Sequence, residues 1–258
     1  MLRISILIFI LLSPYIIYSQ TYTLDWNNKK HHVLASALFW SAIHGYDMLR
    51  KSEILDEYKD IDPKRLSSLD RRSLSRKSDR ADRMSDISLY ASIVAPFAIT
   101  AFSNKKTTQA WDIVLMSVHG YLIENGLNQL VKIMSERPRP YIYQQGEAAL
   151  NTTLSKNSVK SFYSGHASSS AYFAFLGARI FADLHPESSY KPVVWGLAAS
   201  ITGLTGYLRY RAGKHFYSDI ITGWVVGGTL GILIPQMYQS KTVSVDMTSS
   251  GLSITWRI

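Results

Sequence analysis

Three short segments of the sequence carry residue types that could hold and transform a tetrahedral oxyanion. In the first, six residues separate Lys132 from Arg139, and Pro138 and Pro140 force the chain out of a helix into an extended path. An ammonium group beside a forked guanidinium suits such an anion. Taken alone, this pair is a weak signal, because basic residues are common near helix ends.

The second and third segments add two histidines. Residues 164–166 (Ser-Gly-His) open a predicted helix, whose free backbone N–H groups can bind an anion beside His166, a proton donor. His215 and Asp219 lie four residues apart on one helical face, so the carboxylate can fix the imidazole tautomer and leave the other nitrogen free to attack. Arg209, six residues before His215, adds a third cation. Each segment alone also fits a structural role, as a core histidine or a surface His–Asp pair.

Together, these segments resemble the type 2 phosphatidic acid phosphatase superfamily, which also contains soluble bacterial acid phosphatases and vanadium haloperoxidases. The family pattern reads K-x6-RP, PSGH and SR-x5-H-x3-D, and its order and spacing agree with this chain over roughly residues 87–238. The matching residues are Lys132, Arg139, Pro140, Ser164, Gly165, His166, Arg209, His215 and Asp219. Two positions depart, since Tyr163 replaces a proline and Leu208 a serine. Neither replaced group attacks phosphorus or transfers protons, so the departures bear on substrate preference and rate.

The resemblance implies a two-step phosphoryl transfer that needs no metal and no other cofactor. His215 would attack phosphorus and form a phosphohistidine with support from Asp219, while His166 protonates the leaving oxygen and then activates water. The groups implied to hold the equatorial oxygens are Lys132, Arg139, Arg209 and the backbone N–H groups of Ser164 and Gly165.

The expected activity is that of a phosphoric ester hydrolase acting on phosphomonoesters, lipid phosphates or lipid pyrophosphates. Two alternatives stay open. A vanadate-dependent haloperoxidase would use the same groups to hold vanadate, with His215 as its ligand. A non-catalytic phosphate-binding or assembly protein is motivated by Tyr163 and Leu208.

The elements that must position these groups are predicted to be helices, about six of them in an all-α bundle of the same superfamily's kind, followed by a small C-terminal β-hairpin. The predicted helices cover residues 31–46, 87–102, 107–132, 167–184, 192–208 and 219–238. In the predicted helix over 107–132, five polar residues recur at helical spacing. They form either a solvent-facing stripe or a buried polar seam that leads to the site. The basic segment that follows this helix favours the seam. The five polar residues are Ser117, Tyr121, Glu124, Asn128 and Lys132. In the predicted helix over 167–184, small residues recur on one face, which permits close packing against another helix. They are Ala167, Ala171, Ala174 and Ala178.

The sequence divides into four parts. Residues 1–19 hold one early charge and a run of about 15 mostly apolar residues, which predicts a cleaved secretory signal peptide, with an uncleaved membrane anchor as the alternative. Residues 20–86 combine a short helix with a charged segment from 50 to 86, which we expect to be solvated because its eleven basic and nine acidic residues alternate with serines. The helical catalytic domain is expected over 87–240 and the hairpin over 241–258.

Composition narrows the partners. The 258-residue chain carries a net charge of +9 and contains no cysteine, which excludes a disulfide framework and a thiolate nucleophile or metal site. The basic balance favours an anionic partner. Export removes nucleic acid, which leaves a phosphorylated small molecule or a lipid phosphate, with association at a membrane.

Sequence patterns leave two alternatives for the location. If every apolar helix crossed a bilayer after a cleaved signal peptide, three crossings before Lys132 would put the site in the cytoplasm, at odds with an exported enzyme. The stretch 31–46 is a poor span, and the polar residues over 107–132 fit a protein core. We therefore expect a periplasmic protein, soluble or peripheral at a membrane, and keep an integral membrane protein as the alternative.

Overall fold

The structure, a computed structural model, describes most of the 258-residue chain. The signal peptide expected over residues 1–19 lies outside the described part. The described residues are 22, 26–49, 62–103, 107–144, 156–239, 242–248 and 251–257.

Within these residues, six long α-helices form the body of the protein, an all-α bundle as predicted. They are α1 (Trp26–Leu49), α3 (Asp79–Phe102), α4 (Thr107–Ser135), α6 (Gly165–Leu184), α7 (Lys191–Arg211) and α8 (Tyr217–Leu233). Two short helices are α2 (Ser68–Arg71) and α5 (Pro140–Gln144), and single 3-10 turns cover Pro63–Arg65, Lys156–Val159 and Ile234–Tyr238.

Helix α3 begins eight residues before the predicted start, inside the charged segment. The Ser78 side chain caps it by accepting a hydrogen bond from the backbone N–H of Ala81 at 3.2 Å. Asp79 and Asp82 lie in its first turn, where carboxylates suit the positive end of the helix dipole. The domain boundary expected between residues 86 and 87 therefore falls inside a helix.

Helix α6 is central and packs against α3, α4, α7 and α8, while α1 packs against α4. Glycines 223, 227 and 231 let α8 lie directly on the α6 backbone. A Cβ atom added at Gly227 would lie 1.9 Å from the carbonyl oxygen of Ser168, so only glycine fits at this crossing. The predicted alanine stripe is buried, and Ala174 and Ala178 contact Ala198 of α7.

The long helices alternate in direction, which gives the bundle two different ends. At one end, Tyr22 packs in an apolar cluster with Ile113, Tyr172 and Tyr238. At the other, α4 and α7 end and α6 and α8 begin. Between the ends, buried hydroxyl groups join α3, α6 and α7. Their hydrogen bonds run from Ser88 to Thr205 (2.8 Å), from Ser92 to Ser170 (2.8 Å) and from Ser170 to Thr205 (3.0 Å).

Two paired strands follow the bundle in the described part of the chain. Strand β1 (Thr242–Thr248) pairs antiparallel with β2 (Gly251–Arg257), with Val245 opposite Ile254.

Two helical segments of the described chain, Asp79–Phe102 and Tyr217–Tyr238, are long and apolar enough to cross a membrane. Both are partly covered by the rest of the bundle, and the buried helices of a water-soluble protein can meet the same criteria.

Candidate active site

The eight predicted site residues lie together at the end of the bundle where α6 and α8 begin. The backbone N–H of Ser164 donates to the carbonyl of Asp219 at 3.0 Å, which joins the starts of the two helices. The eight residues are Lys132, Arg139, Ser164, Gly165, His166, Arg209, His215 and Asp219.

Lys132, in the last turn of α4, lies against the N-terminus of α6. A Cβ atom added at Gly165 would lie 3.1 Å from the Lys132 Nζ and 3.0 Å from the Asn128 Oδ1, so this glycine leaves room for both polar groups. Burial, then the nearby charge of Arg139, lowers the pKa of Lys132 to about 7, although Glu124 opposes the shift. Among the described residues, no carboxylate forms an ion pair with Lys132, so this side chain suits an anionic ligand.

Arg139 reaches the site on the extended path after α4. Its backbone N–H donates to the carbonyl of Ser158 at 2.8 Å, and the backbone N–H of Ser161 donates to the carbonyl of Arg137 at 2.9 Å. These two bonds align residues 137–139 with residues 158–161. The Arg139 Nε donates to the carbonyl of Asn157 at 2.8 Å, and burial lowers the pKa of Arg139.

Arg209, near the end of α7, is buried and paired with an acidic residue of α3. Its Nη1 lies 2.5 Å from the Asp82 Oδ1 and 3.1 Å from the Ser85 Oγ. Burial lowers the pKa of Arg209 to about 10, while Asp82 opposes that shift. The preceding Leu208, where the family has serine, is buried and packs with Ala81 and Ala212.

Gly213 shapes the turn between Arg209 and His215. Its φ is +68°, and an added Cβ atom would lie 2.0 Å from the backbone carbonyl oxygen of Arg76. This turn brings the last residues of α7 and the first residues of α8 to the same site.

His215 is 2% exposed, and its ring geometry corrects the expected His–Asp hydrogen bond. Its Nδ1 lies 2.9 Å from the carbonyl oxygen of Ser161 and 3.6 Å from the Asp219 Oδ2. Because a carbonyl only accepts, Nδ1 carries the proton and Nε2 keeps its lone pair. Burial, then the charges of Arg139, Arg209 and Lys132, holds the pKa of His215 well below its usual value, so the ring is neutral.

Asp219 lies too far from His215 for a hydrogen bond because other donors occupy its carboxylate. Its Oδ2 accepts from the Ser161 Oγ at 2.5 Å and from the backbone N–H of Phe216 at 2.9 Å. Its Oδ1 accepts from the Arg137 Nη1 at 2.5 Å. Ser161 thus connects the pair, since its carbonyl holds the imidazole and its hydroxyl holds the carboxylate.

His166 lies in the first turn of α6 and contacts a second acidic residue of α3. Its Nε2 donates to the Asp86 Oδ1 at 2.8 Å. Burial, then the charge of Arg209, lowers the pKa of His166 to about 4, and the hydrogen bond to Asp86 opposes this shift. The imidazole that could donate a proton is therefore neutral until a negative charge binds beside it.

Four charged groups near the site were not predicted from the sequence, and one of them, the buried Asp70, departs from the expectation of a solvated charged segment. Asp70, Asp82 and Asp86 belong to that segment, yet they pair with Arg137, Arg209 and His166. The four-residue spacing of Asp82 and Asp86 could have placed both on one helical face. The fourth charged group, Arg137, lies two residues before Arg139, the arginine that matches the family motif. Its position in the sequence gave no sign that it would contact the site.

The polar stripe on α4 is a buried seam, which decides between the two interpretations of its spacing. Glu124 and Asn128 are 0% and 3% exposed. Burial raises the pKa of Glu124 to about 7, and its carboxylate accepts from the Ser169 Oγ at 2.9 Å. The Asn128 Nδ2 donates to the carbonyl of Tyr163 at 2.9 Å, so the residue in place of the family proline is held by the seam.

Comparison with known proteins identifies the superfamily of this chain. The family model of the PAP2 (type 2 phosphatidic acid phosphatase) superfamily matches residues 110–242, which is just over half of the chain. The chain therefore belongs to this superfamily. Among solved structures, a transmembrane PAP2-type phosphatidylglycerolphosphate phosphatase from Bacillus subtilis is similar, with 20% identity and a TM-score of 0.47. The alignment covers 80% of this chain and 96% of that one. No curated protein matches the sequence.

Replacing Asp86 by asparagine should lower the pKa of His166 further, because the carboxylate is the charge that favours the protonated ring. The measurement is a titration of the histidine ring signals by NMR, with His166→Gln to assign the resonance. Asp79→Asn, the same charge change on an exposed residue of α3, should leave this pKa unchanged. An unchanged or raised value in Asp86→Asn would contradict the assigned contact.

Proposed function

We propose that the protein is a phosphatase that hydrolyses phosphomonoesters, lipid phosphates or lipid pyrophosphates through a phosphohistidine intermediate. The observation that carries the proposal is the contact of the His215 Nδ1 with the Ser161 carbonyl, which leaves Nε2 without a hydrogen bond among the described residues, beside three cations that hold the pKa of the ring well below its usual value. We call these cations, Lys132, Arg139 and Arg209, the anion cradle. Membership of the PAP2 superfamily supports the same chemistry.

In the first step, the Nε2 lone pair of His215 attacks phosphorus and the bond to the leaving oxygen breaks. The anion cradle and the backbone N–H groups at the start of α6 hold the equatorial oxygens. A bound phosphate dianion raises the pKa of His166 from about 4, because it places negative charge beside the ring. His166 then donates its proton to the leaving oxygen.

In the second step, water attacks the phosphohistidine. His166, now neutral, accepts a proton from that water, the N–P bond breaks, and phosphate leaves. The positive charge that develops on His215 in the first step, and that is lost when the N–P bond breaks, is stabilised by the carboxylate of Asp219 at 3.6 Å and by the Ser161 carbonyl. No step draws on a metal ion or other cofactor.

Replacing His215 by alanine should abolish phosphate release, and His166→Ala should lower it by roughly 10²- to 10⁴-fold, the usual contribution of a general acid. Release from p-nitrophenyl phosphate, and from a lipid phosphate and a lipid pyrophosphate in mixed micelles, measures both variants in EDTA-containing buffer. His185→Gln, at the far end of α6, is the matched control and should retain full activity. Near-normal release by His215→Ala, or loss of wild-type activity in EDTA, would contradict the mechanism.

The exposed faces of the bundle support a location at a membrane, and we propose that the exported protein associates with one peripherally. On α7, Val193, Leu197, Leu204 and Tyr207 are all exposed, and no charged residue occurs between Lys191 and Arg209. Apolar side chains of α3 and α8 are exposed as well; they are Ile87, Tyr90, Val94, Ile221 and Val225. Apolar faces of this extent mark contact with a membrane or a partner, and a membrane would supply lipid phosphates.

Fractionation of cells that produce the full chain tests this location. The protein is expected in the membrane fraction, with release by alkaline carbonate as for a peripheral protein. Protease added to spheroplasts should reach it, because the expected site is periplasmic. Recovery only in the soluble fraction, or resistance to both treatments, would contradict the proposal.

A further inference from the structure

Arg137 connects Asp219 to an acidic residue far away in the sequence. Its Nη1 contacts the Asp219 Oδ1 at 2.5 Å, and its Nη2 contacts the Asp70 Oδ2 at 2.8 Å. Arg137 is not among the residues matched to the family pattern, and Asp70 belongs to the segment expected to be solvated. The mechanism described above uses neither residue.

Several contacts hold the guanidinium group of Arg137 in a fixed position. Its guanidinium carbon lies 4.2 Å from the centre of the buried Phe216 ring, a cation–π distance. Ser218 lies between the charges: its hydroxyl accepts from Arg137 at 2.8 Å and donates to Asp70 at 2.8 Å. Asp70 also accepts from the Ser218 backbone N–H at 3.0 Å, which joins α2 to the first turn of α8.

Because Asp219 is buried, the contacts with Arg137 and Asp70 determine how readily its carboxyl group ionises. The side chain of Asp219 is fully buried and that of Asp70 is 6% exposed. A buried carboxylate stays ionised only when cations and N–H or O–H donors compensate the lost hydration. Arg137 is the cation in direct contact with Asp219, and Asp70 shares that cation.

We propose that Arg137 and Asp70 are positioning residues for the Asp219–His215 pair, in a line of alternating charges formed by Asp70, Arg137, Asp219 and the developing imidazolium. Arg137 keeps Asp219 ionised and turned toward His215. Asp70 keeps Arg137 from neutralising Asp219 completely. The inference rests on the proposed phosphohistidine mechanism, because only that mechanism places positive charge on His215.

Arg137 and Asp70 shift the pKa of Asp219 in opposite directions, so the proposal predicts opposite effects for their substitution. Burial raises the pKa of Asp219 and Arg137 lowers it, whereas Asp70 raises it. Arg137→Gln should therefore raise this pKa, and Asp70→Asn should lower it. The charged and titratable groups that face Asp219 are Arg137, Asp70, His215, Arg139 and Tyr143.

The test is the pH dependence of kcat and KM for p-nitrophenyl phosphate. Activity requires ionised Asp219, so the acid limb of the kcat profile should move to higher pH in Arg137→Gln and to lower pH in Asp70→Asn. In both variants kcat at the optimum should fall roughly 10- to 100-fold, the range for outer partners of a reacting group. KM should stay near the wild-type value, because neither residue belongs to the anion cradle.

Matched variants separate positioning from folding. The Asp70→Asn variant keeps a side-chain oxygen that can accept from the Ser218 N–H, so the contact of α2 with α8 is retained. Arg137→Lys keeps the charge but loses the fork, and its activity should lie between wild type and Arg137→Gln. Asp79→Asn, the same charge change on an exposed residue, should match wild type.

The experiment distinguishes failure of this inference from failure of the proposed phosphatase function. An active wild type whose acid limb is unmoved in both variants, or moves the same way in both, would overturn this inference and leave the phosphatase proposal standing. A raised KM at unchanged kcat would also overturn it. No phosphate release by wild type would overturn the phosphatase proposal and this inference together.

Discussion

Three cations that converge at one end of the bundle impose the constraint on which the rest of this structure depends. Lys132, Arg139 and Arg209 lose hydration and repel one another, and their pKa values are lowered, to about 7 for Lys132 and about 10 for Arg209. Such a cluster persists only when anions compensate it. Asp82 does so for Arg209. Among the described residues, no carboxylate forms an ion pair with Lys132, and under the proposed function a bound phosphoryl group would supply that negative charge.

The bundle brings these charges together through backbone contacts that tolerate little change. Glycines 223, 227 and 231 let α8 lie on α6, which places the N-termini of both helices side by side. The turn at Gly213 then sets Arg209 and His215 on the same site, and the pairing of residues 137–139 with 158–161 brings Arg139 to it. Helix α3 completes the site with Asp82 and Asp86. Reactive groups from five segments thus share one end of the bundle.

Much of the fold and of the site could be predicted from the sequence, because motif spacing and helical periodicity are local. Periodicity predicted the six long helices, and the motifs predicted the eight residues that meet at the site. The pairing of His215 with the Ser161 carbonyl rather than with Asp219 depends on a loop conformation that no spacing encodes. The roles of Asp70, Asp82 and Asp86 depend on long-range contacts, and in the sequence these carboxylates look like any residues of a solvated segment. Arg137 was missed for the same reason, since only its contact partners distinguish it.

The central claim is that His215 attacks the phosphoryl group held by the anion cradle. The most direct measurement is the identification of the phosphorylated residue by mass spectrometry after a rapid alkaline quench, which preserves phosphohistidine. With p-nitrophenyl phosphate, we expect phosphate on His215 in the wild type and none in His215→Ala. Phosphate on another residue, or steady phosphate release by an enzyme that never becomes phosphorylated, would contradict the account.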